Sequence, residues 1–426
     1  MEYTEPKLMK LFKRNYKFMI AESSLFWVAA AFIDGNTVVS VFIHQYTGSM
    51  QLAGLSAVIR TFSFMLAQFL MGMVQVEIAD KMKAMRMLAL FSRGLPLLMV
   101  PALLSPLSDF FSAGLLVVLL GLFFFGDGCL ALIWTNLTAR TIPDKFRGQM
   151  IGNSQMLAGV LSIAAGFLIK FILSGSLEPD IKYSIIFGIC GTLFCLNTVF
   201  IFLLRDREDM QPQVRRRYSL RQYIGAFAPI WNSEPRIRKV IICRAIYAMA
   251  LMASPLVVLF GTSSLNMTTS QTSSMVYIQM SGMFIGGFFW GRISRYFMPH
   301  AIMIGSMFAA SLLGAIGVSA YLLGSAALVY SMVFLVGFIQ MAWVGYTNEL
   351  IRLSNEENRP IILVMQSLAQ VPAAFGPYFA GLVAEKLGFL PVFAAVLAFG
   401  VLGSALVLRL RTPADKNATD TLALGG

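Results

Sequence analysis

Apolar residues run in long blocks along this chain, with polar residues gathered into short clusters between them. The pattern predicts twelve apolar segments, at roughly 18–46, 51–75, 87–108, 112–136, 150–173, 183–204, 239–261, 273–291, 299–322, 325–349, 360–384 and 388–409. Most are twenty residues or longer, the length a helix needs to cross about 30 Å of hydrocarbon. Strands of a membrane barrel would be shorter and would alternate apolar with polar residues, which these do not. The chain is therefore expected to be an all-α integral membrane protein of twelve transmembrane helices. The longest polar stretch splits them six and six. It gives a basic N-terminal segment at 1–17, a six-helix bundle at 18–205, a linker at 206–238, a second bundle at 239–411 and a polar tail at 412–426. A surface helix is expected in the linker around Tyr218 to Phe227.

The two halves echo each other. Thr135-Asn136, Arg140, Asp144 and Arg147 recur as Thr347-Asn348, Arg352, Glu356 and Arg359, each 212 positions on. Upstream, Ser63 and Gln68 recur as Ser274 and Gln279, and Lys81 as Arg292, at 211. A period near half the chain marks a duplicated half rather than a solenoid. Six spans, an even number, separate equivalent points. The halves should thus be parallel repeats about an axis along the membrane normal.

Composition agrees with the pattern: 57% of residues are hydrophobic, only 13% are charged, and the mean hydropathy is +0.73. The formal net charge of +12 might suggest nucleic acid, but its distribution excludes that partner. The N-terminal segment, the loops after even-numbered spans and the tail hold most of the 33 Lys and Arg, while the opposite loops carry only Lys182 and Lys386. By the positive-inside rule both termini and the linker are cytoplasmic, which places a multi-pass protein in the plasma or inner membrane with the bilayer as its partner. No cleavable signal is expected. Cys129, Cys190, Cys195 and Cys243 fall inside spans and read as small apolar residues. With only His44 and His300, far apart in topology, no metal is expected, and no cofactor either. The chain has no Gly-Lys dipeptide, hence no phosphate loop. The formal dinucleotide pattern at Gly126-Asp127-Gly128 lies within a span and follows no strand. Enzyme chemistry is not expected.

Charged clusters between spans two and three, and eight and nine, fit a loop signature of Gly, three residues, Asp, Arg, one residue, Gly, Arg. Gly287, Arg292 and Arg295 match it, with Gly291 at the Asp position. Asp80 and Lys81 match in the first half, with Val76 at the Gly position and later cations displaced to Lys83 and Arg86. The loop from Pro143 to Gly148, with Asp144 and Arg147, adds a link between spans four and five. With two six-span halves and a basic linker, the chain resembles the major facilitator superfamily. That resemblance implies a secondary transporter, commonly monomeric, that works by alternating access on a solute bound between the halves. It also implies a cytoplasmic gate, which maps to Asp80, Arg86, Arg140 and Arg147 and, in the second half, to Arg292, Arg295, Arg352 and Arg359. The alternative role for these residues is to anchor helix ends in the headgroups. Subfamily signatures are missing: Arg205-Asp206-Arg207-Glu208 follows span six where a sugar porter would show Pro-Glu-Ser-Pro-Arg.

A charge at mid-span costs roughly 2.5–3.5 kcal/mol, so each such residue needs a reason. On a continuous helix Asp34 shares a stripe with Ser23, Trp27, Val41 and Gln45, and Gly35 and Asn36 next to it suggest a backbone that can bend or open. Asp34, Asn36, Trp27 and Gln45 are therefore candidate cavity residues. Arg60 is read as an ion-pair partner for Asp34. Asp127 is either a cavity acid or half of a buried bridge to Arg93. Arg244 is either an anion holder or a snorkelling residue, as Lys170 is. Gln340, Trp343 and Thr347 share a face of span ten. Glu22 is placed at the interface. Gln68 and Gln279, equivalent by the repeat, either line the cavity or join helices by hydrogen bonds, with joining favoured. The leading expectation is a proton-coupled carrier of a small organic solute, with export favoured for the aromatic and Met-rich spans. A lipid or amphiphile translocase and a non-transporting membrane sensor are the alternatives.

Overall fold

The computed structural model describes residues 6–74, 80–105, 109–206, 220–296, 299–354 and 358–410. Every element among them is helical. Span one comprises α1 (Pro6–Ala31) and α2 (Val39–Thr47). Spans two to six are single helices: α3 (Met50–Val74), α4 (Lys81–Leu103), α5 (Asp109–Thr141), α6 (Asp144–Ser174) and α7 (Pro179–Leu203). The linker holds α8 (Leu220–Gly225) and α9 (Phe227–Ser233). Span seven is α10 (Pro235–Ala250), a 3-10 turn (Ser254–Leu256) and α11 (Val257–Leu265); spans eight and nine are α12 (Thr269–Tyr296) and α13 (Pro299–Leu323). Span ten is α14 (Ala326–Gln340) with α15 (Trp343–Leu353). Span eleven is α16 (Arg359–Leu368), α17 (Val371–Ala374) and α18 (Gly376–Leu387), and span twelve is α19 (Phe389–Leu408). Among the described residues, ten runs are long and apolar enough to cross a membrane. Spans one and eight fall short because the first is split and basic at its start, while the second opens with Thr269, Ser270, Gln271, Thr272, Ser273 and Ser274. The tail at 412–426, the Arg215 to Arg217 run and Glu356 lie outside the described residues, as do the side chains of Asp144, Arg147, Arg295 and Arg359.

Four spans are interrupted, and each interruption has a local cause. In span one, the Asp34 carboxylate Oδ1 accepts from the backbone N–H of Asn36 (2.9 Å) and Thr37 (3.0 Å), and the Asp34 carbonyl accepts from Val38 and Val39. Those bonds satisfy the donors that unwinding frees, as hydrocarbon surroundings demand. Pro255 stops span seven, and Pro372 and Pro377 divide span eleven, since proline lacks the N–H a helix interior needs. Span ten breaks at Met341-Ala342 with no Gly or Pro. There the Trp290 Nε1–H donates to the Phe338 carbonyl (2.9 Å) and the Tyr247 hydroxyl donates to the Ile339 carbonyl (2.6 Å). Side chains inserted into the ladder account for this kink.

Each half has its own apolar core. Phe32, Phe42, Met99, Phe123, Phe187 and Phe194 lie at the centre of the first, and Phe260, Met307, Tyr346 and Phe393 at the centre of the second. The halves meet along two seams, α6 on α12 and α3 on α18. Small residues let backbones touch there: a Cβ on Gly54 would stand 2.2 Å from the Pro377 carbonyl oxygen, and one on Gly381 would stand 2.5 Å from that of Met50. Both contacts lie at the charge-poor end, where the turns after spans one and eleven sit. The Glu385 carboxylate reinforces that end, accepting from the Ser49 hydroxyl and the Gln51 N–H at 2.8 Å each.

Candidate functional site

Asp34 sits in the unwound segment of span one and is only 6% exposed. Besides the two backbone donors, its Oδ1 accepts from the Thr37 hydroxyl (3.0 Å) and from Gln279 Nε2 on α12 (3.1 Å), across the seam between halves. The opened backbone expected at Gly35 and Asn36 is therefore present. The Arg60 pairing expected for Asp34 is not, because the Arg60 guanidinium lies over the Phe124 ring, 5.4 Å from its centroid. Helical register also fails across 32–38, so Gln45 is carried off the Asp34 stripe to an exposed position beside the Tyr183 hydroxyl (3.5 Å). Trp27, on the α1 side of the break, is half-buried and packs edge-on against Phe26. Asn36 is buried with its Nδ2 unpartnered, and Gln279 Oε1 is likewise unpartnered. Gln68, the repeat equivalent of Gln279, accepts from the Ser367 hydroxyl of α16 at 3.0 Å. Both glutamines thus join helices, and each does so across the halves with a different partner span.

A second cluster lies wholly within the first half. Arg93 on α4, itself buried, donates to the half-buried Asp127 on α5 at 2.8 Å, so the bridge expected for this pair is formed. The Arg93 guanidinium is packed over Phe26, Phe123 and Phe194, at 4.6, 5.5 and 5.1 Å from the ring centroids. Glu22, expected at the interface, is instead 5% exposed. Its carboxylate accepts from Trp134 Nε1 (3.1 Å) and Asn197 Nδ2 (3.3 Å), and Asn197 also donates to the Glu22 carbonyl (2.7 Å). Wheel geometry on span one could not reveal this, because the donors come from spans four and six. Trp134 in an apolar block with Glu22 at similar depth was the only signal available.

The interior of the second half holds Arg244 on α10, whose guanidinium lies over the rings of Tyr247 (4.8 Å) and Tyr346 (5.6 Å). Gln340 is half-buried at the end of α14, and Trp343 begins α15 at 41% exposure; the break between them removes the continuous face expected for Gln340, Trp343 and Thr347. Lys170 Nζ lies over the Tyr277 ring at the α6–α12 seam, 5.4 Å from its centroid. Three of the cysteines are buried as small apolar residues would be, and Cys195 is exposed.

The gate candidates occupy the basic end. Asp80 caps α4 by accepting from the Lys83 N–H (2.8 Å), and Arg86 donates to the carbonyls of Phe202 and Leu204 (3.3 Å each). Arg140 pairs with Asp206, beyond the end of span six, at 3.2 Å. Arg352 pairs with the buried Glu349 at 2.9 Å, which Arg236 also reaches at 3.1 Å. Arg292 is exposed on α12. The partners described for Asp80, Arg86 and Arg140 all lie within their own half: Asp80 caps span three, and the other two tie spans three and four to span six.

A sequence profile described as Major Facilitator Superfamily matches residues 23–370. Among solved structures, the fold is similar to that of a D-xylose-proton symporter, with a TM-score of 0.72 at 13% identity over 94% of this chain and 98% of that one. It is similar to the E. coli fucose:proton symporter FucP, with a TM-score of 0.64 at 16% identity over 94% and 98%. A nucleoside transporter, NupG, gives a TM-score of 0.64 at 12% identity over 92% and 100%. No curated protein matches the chain in sequence. The profile spans most of the chain, including the breaks in spans one, seven and ten, and the twelve helices form two six-helix bundles. The protein therefore belongs to the Major Facilitator Superfamily and is a membrane transporter, not an enzyme.

Proposed function

We propose that the protein is a proton-coupled carrier of a small organic solute that works by alternating access, and that Asp34 is the carboxylate through which a proton acts on the contact between halves. The observation that carries this reading is the bond from Gln279 to Asp34 Oδ1, made at the point where span one is unwound. An ionised carboxylate only accepts hydrogen bonds, and a bond to a charged group is worth roughly 1.5–3 kcal/mol. Protonating Asp34 removes the charge, weakens its hold on Gln279 and on the start of α2 together, and favours separation of the halves along that seam. The solute would bind where the breaks of spans one and seven approach span two. There the Ser56 hydroxyl donates to the Gly35 carbonyl (3.4 Å), and the Ser254–Leu256 turn packs on α3. Irregular backbone at membrane depth is tolerated where it lines a binding cavity.

Alternating access also requires seams that open. Closure at the charge-poor end depends on Gly54, Gly381 and the Glu385 contacts, which can separate without breaking either core. The Met and Phe residues that favoured export are accounted for by packing: Met19, Met85 and Met99 are fully buried, while Phe110 and Phe111 face outward. They carry no weight on direction.

The test is proton movement in proteoliposomes on adding sugars, nucleosides, organic acids and cationic amphiphiles to wild type and Asp34→Asn. One solute class should drive proton flux through wild type, and Asp34→Asn should bind that class and lose the flux. Undiminished coupled flux in Asp34→Asn would remove Asp34 from the mechanism. Glu22 supports a second placement of the proton, since it is a buried carboxyl held by Trp134 and Asn197 with no ion-pair partner among the described residues. In that case Glu22→Gln, and not Asp34→Asn, abolishes coupling.

A further inference from the structure

Four cations lie inside the spans, and they are not equivalent. Arg93 has Asp127. Arg60 and Lys170 stand over Phe124 and Tyr277 and have no buried nitrogen left without a partner. Arg93 keeps a buried, unpartnered Nε and Nη1, but its charge is met by Asp127. Arg244 differs in that its Nε is buried and unpartnered and no described residue offers its guanidinium a carboxylate or any other acceptor. A buried polar group without a partner is rare enough to need a cause, and a guanidinium cannot shed its charge at any accessible pH.

The platform under Arg244 is fixed. The Tyr247 hydroxyl is committed to the Ile339 carbonyl at the break of span ten, and the Tyr346 hydroxyl to Ser306 at 3.2 Å. Both rings are essentially fully buried, at 2% and 0% exposure. They hold the guanidinium by its face and leave its in-plane fork of donors free, the geometry that binds a carboxylate or phosphoryl group in two parallel bonds. Arg244 also lies less than two turns before the end of α10, and Tyr346 lies in the first turn of α15, so the fork sits where two interrupted helices of the second half come together. Toward the basic end, the one buried acid of this half among the described residues, Glu349, is already held by Arg236 and Arg352. The second half therefore presents an excess of positive charge around this point.

We infer that Arg244 is the docking point for an oxyanion, a carboxylate or phosphoryl group on the transported solute, so the substrate class is a small organic anion. This rests on the reading of the chain as a carrier of a small organic solute. The first half, which holds Glu22, Asp34 and Asp127 within its spans, contributes the proton chemistry, and the second supplies the charge that recognises the solute.

The experiment uses the full chain, in nanodiscs for binding and in proteoliposomes for solute counterflow without a proton gradient. The probes are benzoate, succinate, glycerol 3-phosphate and inorganic phosphate, set against benzamide, succinamide and glycerol. At least one anion should bind and exchange in wild type while its neutral counterpart does not. Arg244→Gln should lose that binding at least tenfold with an unchanged melting temperature. Arg244→Lys, which keeps a charge without the planar fork, should fall between them. Neutral compounds exchanging as well as the acids, or Arg244→Gln binding the anion as wild type does, would overturn the anion site while leaving the carrier reading intact. Anion binding that depends on Arg244 but comes with no exchange of any probe would leave the site standing and sink the carrier reading. Binding seen only in vesicles that contain phosphatidylglycerol, and lost in Arg244→Gln, would identify the oxyanion as a lipid headgroup.

Discussion

The interiors of the two halves differ in a way their shared architecture hides. In the first half a guanidinium has its counter-ion: Arg93 is paired with Asp127 and enclosed by three phenylalanines. In the second, the guanidinium of Arg244 rests on two tyrosines and meets no carboxylate among the described residues. The repeat relates Trp134 to Tyr346, 212 positions on. The first donates to an acid and the second underlies a cation. Duplication conserved the framework and let the charge in each bundle diverge. One half can then exchange a proton and the other attract an anion.

The sharpest way to break that comparison is to remove the two arginines in turn. Arg93→Met should cost about 3–5 kcal/mol, because it leaves Asp127 between the spans without its counter-ion. The melting temperature in detergent would fall accordingly and recover most of the way in Arg93→Met/Asp127→Leu. Arg244→Met strands nothing, so its melting temperature should equal or exceed that of wild type. Equal losses at the two sites would erase the distinction between committed and free cation.

Smaller effects are expected where the halves meet. Gly54→Val puts side-chain atoms into the backbone around Pro377. It should cost about 1–3 kcal/mol of closure at the charge-poor end while each half stays folded. Cysteine labelling near Gln51 would then rise and counterflow would fall. Gly337→Val makes a comparable clash within the second half, against the Gln279 carbonyl at 2.1 Å, and should instead lower the melting temperature. Glu385→Gln weakens two exposed hydrogen bonds across the same seam, each worth about 0.5–1.5 kcal/mol, so labelling there should increase several-fold at most. The smallest change is expected for Asp206→Asn. Its pairing with Arg140 is partly exposed, so it should shift stability by no more than about 1 kcal/mol and less in high salt.

Much of the fold was legible in the chain. Block length gave the spans, the recurrence of Thr135 and Thr347 with their charged followers gave the duplication, and Asp34-Gly35-Asn36 marked the opened segment of span one. Pairs that needed only depth and complementary charge, such as Arg93 with Asp127, were also readable. A helical wheel does not carry across a break: residues 32–38 are not helical, so Gln45 leaves the Asp34 face, and Met341-Ala342 separates Gln340 from Trp343. The second break was invisible because its cause is a pair of donors, Trp290 and Tyr247, that arrive from spans eight and seven. Glu22 was misplaced for the same reason, since Trp134 and Asn197 are distant in sequence.

The sequence by itself determined what depends on hydrocarbon. Apolar length and the absence of alternation require helices, the bias of cations sorts the loops, and an even-numbered repeat makes the halves parallel. Tertiary structure decided which polar groups meet. In a membrane interior a buried charge or an open backbone group takes whatever partner the packing brings within about 3 Å. That choice is made between spans, and one-dimensional order contains no record of it.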